Sequence, residues 1–353
     1  MGNAPTKYGM SGGYGDDVIA TGDRRPDQSQ LQDHDGQRAK AEREVDEAHE
    51  DYADEAEVTD RQKKNMQERR ENVVGNLKDG GLEIEEDHIF GSVMQGTVTR
   101  PLDEDSDVDV LVVLDSDEHG EWAEEEDGPR KALNAVRRRL DKKYSQQDVY
   151  VDRNVVVVQF SDFKVEVAPA YRYSDVRDPD PPSRRAMFGL TSEDPREGYA
   201  IPDTYGGESW VGTNPRKAQA IYEAVNQSNN GKLQKVAVSA KKWNEENGKP
   251  VDSYHMVMMA QRYFQEDAPD NASTEKHMSR FMRKLPHYVN QETREPVYDE
   301  RVDEGMSRGE RRKASKEAYE ASQKIREAER LKEQGKTEEA KEKYREVYGE
   351  SFS

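Results

Sequence analysis

The chain has no cysteine, which excludes disulfides, thiolate metal sites and cysteine nucleophiles. Apolar residues are also scarce, at 32% hydrophobic against 36% charged. About a quarter charged is usual, so any core must be concentrated in part of the 353 residues. No apolar run approaches the roughly 20 residues that cross a bilayer, and no signal-peptide core is visible. The reading is a cytoplasmic protein with no membrane partner. The opening MGNAPT fits a myristoylation pattern only formally and is taken as accidental. Positive charge is in deficit too: 54 Lys and Arg face 74 Asp and Glu, for a net charge of −20. Such a surface repels nucleic acid, so small nucleotides or proteins are the expected partners and no long nucleic acid substrate is expected. Acidity spread over the whole chain also suggests a halophilic source. A P-loop and an HExxH helix are both missing, and the seven histidines are scattered, which gives zinc little support.

Residues 1 to about 35 carry Gly, Asp, Gln and Ser without an apolar period and read as disordered. Residues 36–56 are helix-prone with almost no apolar stripe, which predicts a frayed, solvated helix. Together, 1–56 form an acidic, largely disordered extension. A firmer helix follows, with Thr59 as N-cap, Met66, Val73, Val74 and Leu77 on one face, and a stop at Asp79-Gly80-Gly81. The period then changes. HIF (88–90), VDVLVVL (108–114), VVVVQF (155–160) and FKVEVA (163–168) read as strands, with a hairpin turn at Ser161-Asp162. An amphipathic helix over 129–144 lies between the second and third. This is an α/β unit, 57–200, with a mixed sheet of four or five strands. The stretch 172–215 reads as a long irregular connection. Helices follow over 215–227, 231–246, 253–265 and 273–285, then a charged pair over 307–348 broken at 334–336, so 201–353 is a helical domain. That last pair reads as a solvated helical pair packed on the back of the fold, in preference to a partner-binding coil.

The chemistry concentrates in FGSVMQGTVTRPLDEDSDVDV (90–110). Gly91-Ser92 follows a strand and can present N–H groups and a hydroxyl to an anion. Asp107 and Asp109 stand two apart on a strand and so share a face. Held that close, they repel unless something positive sits between them. Either they form a solvated acidic patch or they bind a metal. Glu166, between two valines, offers a third carboxylate. Three such groups suit hard divalent cations, and a pair of such ions can support an in-line phosphoryl displacement.

FGS, Gly96-Thr97, SDVDV and VEVAPA together resemble the polymerase-β-like nucleotidyltransferase superfamily. Within it, GKLQKVAVSAKKWNEENGKPVDSYHM and the ending REVYGESF are similar to the CD-NTases, the cGAS/DncV-like, SMODS-type enzymes of CBASS antiphage systems. The likeness covers about 57–353. It implies an α+β fold with a mixed sheet and a C-terminal helical lobe, the two lobes forming a nucleotide cleft. It implies that Asp107, Asp109 and Glu166 bind Mg²⁺ or Mn²⁺ and are catalytic, and that Gly91 and Ser92 hold the triphosphate. Lys241 and Ser253 would reach phosphates and Tyr254 the base or sugar. The expected activity is synthesis of a cyclic di- or oligonucleotide from NTPs, ATP among them, for a cyclic-nucleotide-activated effector protein in antiviral defence. On the residues alone, Lys241 also reads as a solvated helix lysine, Tyr254 as core and Trp243 as packing. Arg172 reads either as a phosphate ligand or as a partner of surface acids. Glu166 departs from the Asp of many relatives and Phe90 from a polar residue. Transfer to a tRNA or RNA 3′ end, transfer to a protein, and a non-catalytic nucleotide sensor are the other readings.

Overall fold

The computed structural model describes residues 28–353 except 188, 190, 192–193 and 205–207. MGNAPT and most of the stretch read as disordered therefore lie outside the described residues, while Gln28 to about 35, read the same way, are helical. Two helices lead, α1 (Gln28–Ala56) and α2 (Asp60–Asp79). Then come β1 (Ile84–Phe90), α3 (Gly91–Gln95), β2 (Asp107–Leu114), the single turns α4 (Ser116–His119) and α5 (Glu121–Glu124), and α6 (Gly128–Lys143). Strands β3 (Val149–Asp152), β4 (Val155–Gln159) and β5 (Lys164–Arg172) follow, then the short α7 (Arg184–Met187), β6 (Tyr199–Asp203) and β7 (Ser209–Thr213). The remainder is helical: α8 (Pro215–Ser228), α9 (Lys232–Glu246), α10 (Ser253–Glu266), α11 (Thr274–Tyr288), α12 (Arg308–Glu333) and α13 (Thr337–Tyr348). Among the described residues, no helix is long and apolar enough to cross a membrane.

Strand order is β1-β2-β5-β4-β3, with β6 on the far end of β5 and β7 beyond it. The β2–β5 pair is parallel and the others are antiparallel. This is a mixed sheet, as expected, but of seven strands. Residues 172–215 are not one irregular connection, because they contain β6 and β7. Trp210 of β7 donates its indole N–H to Trp122 O and stacks edge-on against Tyr171, so burial of large rings pins a strand whose Gly and neighbouring Pro disguise it.

Alternation along β2 explains the sheet's two faces. Val108, Val110, Val112 and Leu114 join Val73, Leu77, Leu133, Val136 and Leu140 in a core beneath α2 and α6. Each such side chain, fully buried, contributes about 1.5–3 kcal/mol. The intervening positions, Asp107, Asp109, Leu111 and Val113, face the other way. Leu111 and Val113 enter a smaller cluster with Ala168, Ala170 and Tyr199, and the two aspartates are left at the sheet's open end. Thr59 caps α2 in a full capping box with Gln62.

Residues 36–56 are not a frayed, solvated helix. Ala41, Val45, Ala48, Tyr52, Ala53 and Ala56 of α1 are buried, and Val45, Ala48 and Tyr52 join the helical lobe's core with residues of α9, α10, α11, α12 and α13. The stripe is built from alanines, which carry little hydrophobic weight but permit close helix approach. Ion pairs reinforce it: Glu50 accepts from Lys232 (2.5 Å) and from Lys235 and Thr274. The Asp46 carboxylate accepts the Glu275 N–H (3.0 Å). The charged pair α12–α13 buries its own alanine stripe, Ala314, Ala318, Ala321, Ala328 and Ala340, so it is packed as anticipated.

Candidate active site

A cleft of about 480 Å³ lies between the open end of the sheet and the helical lobe. Gly91, Ser92, Asp107, Asp109, Lys241, Ser253 and Tyr254 all line it. Glu166 does not. It is paired opposite Asp109 in the parallel β2–β5 register, on the same sheet face, but its carboxylate is bonded to Lys164 Nζ at 2.8 Å. Sequence reasoning missed Lys164, although its position two before Glu166 on a strand already puts both on one face. Arg172 lies outside the cleft lining and pairs with Glu85 (2.9 Å) and Glu86 (3.0 Å), the surface-acid alternative.

Gly91 opens α3 with φ +66°, a left-handed conformation that glycine adopts freely. A Cβ built there would fall 2.1 Å from Asp109 Oδ2. The backbone thus approaches the carboxylate more closely than any side chain would allow. Ser92 Oγ faces Asp107 Oδ1 at 3.5 Å. Gly96, also at φ +66°, ends α3, and the following turn brings Thr97 O to Lys241.

Burial raises the Asp107 carboxyl above its ordinary range, against the pull of Lys241, Lys164 and Ser92. Burial raises Asp109 further, and the charges of Asp107 and Glu166 add to it. Glu166 is likewise raised by burial despite its bond to Lys164. Packed carboxylates of this kind need positive charge nearby to stay ionised. Among the described residues, no group of three His, Asp or Glu stands at metal-ligand separation, which is consistent with Lys164 holding Glu166. Asp107 and Asp109 by themselves present carboxylate oxygens of the kind a hard divalent cation takes.

Lys241 is only 6% exposed, so it is no solvated helix lysine. Its ammonium donates to Thr97 O at 2.7 Å, and burial lowers its pKa although Asp107 is the strongest charge opposing that. Trp243 is core, as its packing reading held. Asn244, which sequence reasoning passed over, donates to Val251 O (2.7 Å) and accepts the Val251 N–H (3.1 Å). It fixes the loop in which Asp252 caps α10 by accepting from the N–H groups of Tyr254 (2.9 Å) and His255 (3.2 Å). Ser253 and Tyr254 are thereby set at the cleft wall; Tyr254 is 40% exposed and is not core. The ending Tyr348-Gly349-Glu350-Ser351-Phe352 serves packing: Tyr348 and Phe352 bury their rings against His49 and Tyr52.

Residues 44–185 match the family described as Second Messenger Oligonucleotide or Dinucleotide Synthetase domain, SMODS. Over this stretch the chain is similar to the SMODS domain. The match begins inside α1, so it includes the C-terminal part of that packed helix. Solved structures share the fold. E. coli MS115-1 CdnC, in complex with HORMA-deltaN, has 14% identity and a TM-score of 0.60 over 87% of this chain and 98% of that one. The Bradyrhizobium diazoefficiens CD-NTase CdnG, in complex with GTP, has 12% identity and a TM-score of 0.59 over 86% and 98%. Vibrio cholerae DncV, a cyclic AMP-GMP synthase, has 14% identity and a TM-score of 0.57 over 92% and 91%. No curated protein matches the chain.

Proposed function

We propose that this chain is a nucleotidyltransferase of the SMODS, CD-NTase type, joining NTPs, ATP among them, into a cyclic di- or oligonucleotide with release of pyrophosphate. We place it in cytoplasmic antiviral signalling of the CBASS kind, with a cyclic-nucleotide-activated effector protein downstream. The observation that carries the reading is the Gly91–Asp109 approach. It brings an anion-presenting turn and a pair of raised carboxylates into one cleft with Lys241.

The hydroxyl oxygen of one nucleotide attacks the α-phosphorus of another. A P–O bond forms, the bond to the β-phosphate breaks, pyrophosphate leaves with its electron pair and the hydroxyl proton passes to solvent. Repetition within the bound product closes the ring. Gly91 and Ser92 orient the triphosphate, Lys241 offers it a buried positive charge, and Ser253 supplies a hydroxyl donor. Asp107 and Asp109 would hold Mg²⁺ or Mn²⁺, and Glu166 would join them by exchanging Lys164. When bound, such an ion lowers the pKa of the attacking hydroxyl and neutralises charge on the phosphates. Tyr254 provides a ring face for a base.

The cleft's acidity argues against an RNA acceptor. Incubation with α-labelled NTPs and Mg²⁺ or Mn²⁺ tests the reading. Phosphatase-resistant small product is expected, lost in Asp107→Asn/Asp109→Asn. Label retained in RNA or protein would favour the alternative acceptors, and no labelled product from folded enzyme would overturn catalysis.

A further inference from the structure

The loop from Glu295 to Glu300 enters the cleft beside Tyr254 and carries two acids with different employment. Glu295 is committed to the backbone: its carboxylate accepts the N–H groups of Val297 (2.8 Å), Tyr298 and Glu300 (3.3 Å). Its own N–H donates to Glu300 O at 2.8 Å, and Arg294 Nη1 donates to Asp299 O at 2.8 Å. The loop is therefore rigidly held. Glu300 lines the cleft, and among the described residues no hydrogen bond or ion pair engages its carboxylate. Tyr254 lines the same cleft, and after burial the charges of Glu295 and Glu300 push its phenol up. A part-exposed tyrosine and an unengaged carboxylate thus line one cleft.

We propose that Glu300 reads the Watson–Crick edge of a guanine stacked on Tyr254. This rests on the nucleotide-binding reading of the cleft. An ionised carboxylate offers two acceptors. Guanine presents two adjacent donors there, N1–H and the N2 amino group. Adenine sets an amino donor beside the N1 lone pair, cytosine sets one beside N3, and uracil flanks its single donor with carbonyls. Only guanine satisfies both carboxylate oxygens, and a mismatched lone pair facing the carboxylate is repelled.

The titration of Glu300 supports this choice. Burial first, then Glu295, Glu304 and Asp203, raise its carboxyl to about 7, with Arg153 opposing. Above that value it is a carboxylate and matches guanine. Below it, the acid has one donor and one acceptor, which is adenine's complement. Guanine preference should therefore weaken as pH falls.

The test is equilibrium binding, with Mg²⁺, of the α,β-methylene analogues of GTP and ATP, which cannot release pyrophosphate. Full-length wild type and Glu300→Gln are compared at pH 6 and pH 8, with folding checked by thermal unfolding. The amide of the variant pairs with adenine, so we expect the GTP:ATP affinity ratio to fall about ten- to a hundredfold. The wild-type ratio should fall between pH 8 and pH 6, and that of the variant should stay flat. An unchanged ratio in the variant, or loss of both analogues from folded variant, overturns the role of Glu300 alone. Failure of wild type to bind either analogue overturns the nucleotide reading with it.

Discussion

Lys164 Nζ lies 2.8 Å from Glu166 Oε1, two positions along the same strand and beside the Asp107–Asp109 pair. The lysine occupies electrostatically the place a divalent cation would contest, because it also lowers Asp107 and Asp109. Lys164→Met should leave Glu166 free to bind metal and the carboxylates without that counter-charge. We expect Mn²⁺ to bind severalfold more tightly, as read by titration calorimetry. Unchanged affinity would exclude competition between lysine and metal.

Gly91→Ala places a Cβ against Asp109 Oδ2 in a left-handed backbone. The conformation itself costs about 1–2 kcal/mol, which a domain of this size tolerates. The displaced carboxylate is the larger loss, and turnover should fall on the order of 100-fold. Circular dichroism and initial rates on the same preparation separate the two effects.

Eight acids line the cleft against two lysines, Lys241 and Lys249. A triphosphate entering this field is repelled over distances that salt shortens. The apparent KM for NTP should therefore fall as KCl rises from about 0.1 to 1 M, the reverse of the behaviour of a basic site. Rate measurements at fixed Mg²⁺ across that range decide it.

Two ionic contacts of the helical lobe, one buried and one half-buried, give opposite kinds of stability test. Lys332 and Glu275 are paired at 2.6 Å, with Tyr344 donating to Glu275 at 2.8 Å. Lys332→Met strands a buried carboxylate and should cost about 3–5 kcal/mol in urea unfolding. Glu50 is the pH-sensitive one. Burial pushes its carboxyl up, but hydrogen bonds from Lys232, Lys235 and Thr274 prevail and bring it to about 2. Its folded value lies below its unfolded one, so its contribution is present above about pH 4.5 and lost as pH falls through 2. Wild type should lose roughly 1–3 kcal/mol relative to Glu50→Gln across that window.

The site was legible where chemistry and period coincide. Asp107 and Asp109 open a valine-rich strand, and Gly91 follows another, so both the strand phase and the turn could be read. β6 and β7 escaped because Pro202 and Gly212 break the pattern of runs too short to show a period. Helix α1 escaped for a different reason: its buried stripe is mostly alanine, and alanine reads the same on a packed helix as on a solvated one. The partner of Glu166 is a side-chain choice, and strand alternation only narrows it. Glu300 lies in a loop without period, and its place in the cleft follows from the hydrogen bonds of Glu295.

The ring cluster joining Tyr52 to Tyr348 and Phe352 imposes an order of assembly. The sheet and its covering helices draw their core from residues 58 to 210 and can form while synthesis continues. The other core takes its first members from α1 and its last from beyond α13. Tyr52 therefore meets these two rings only once Phe352 has been made.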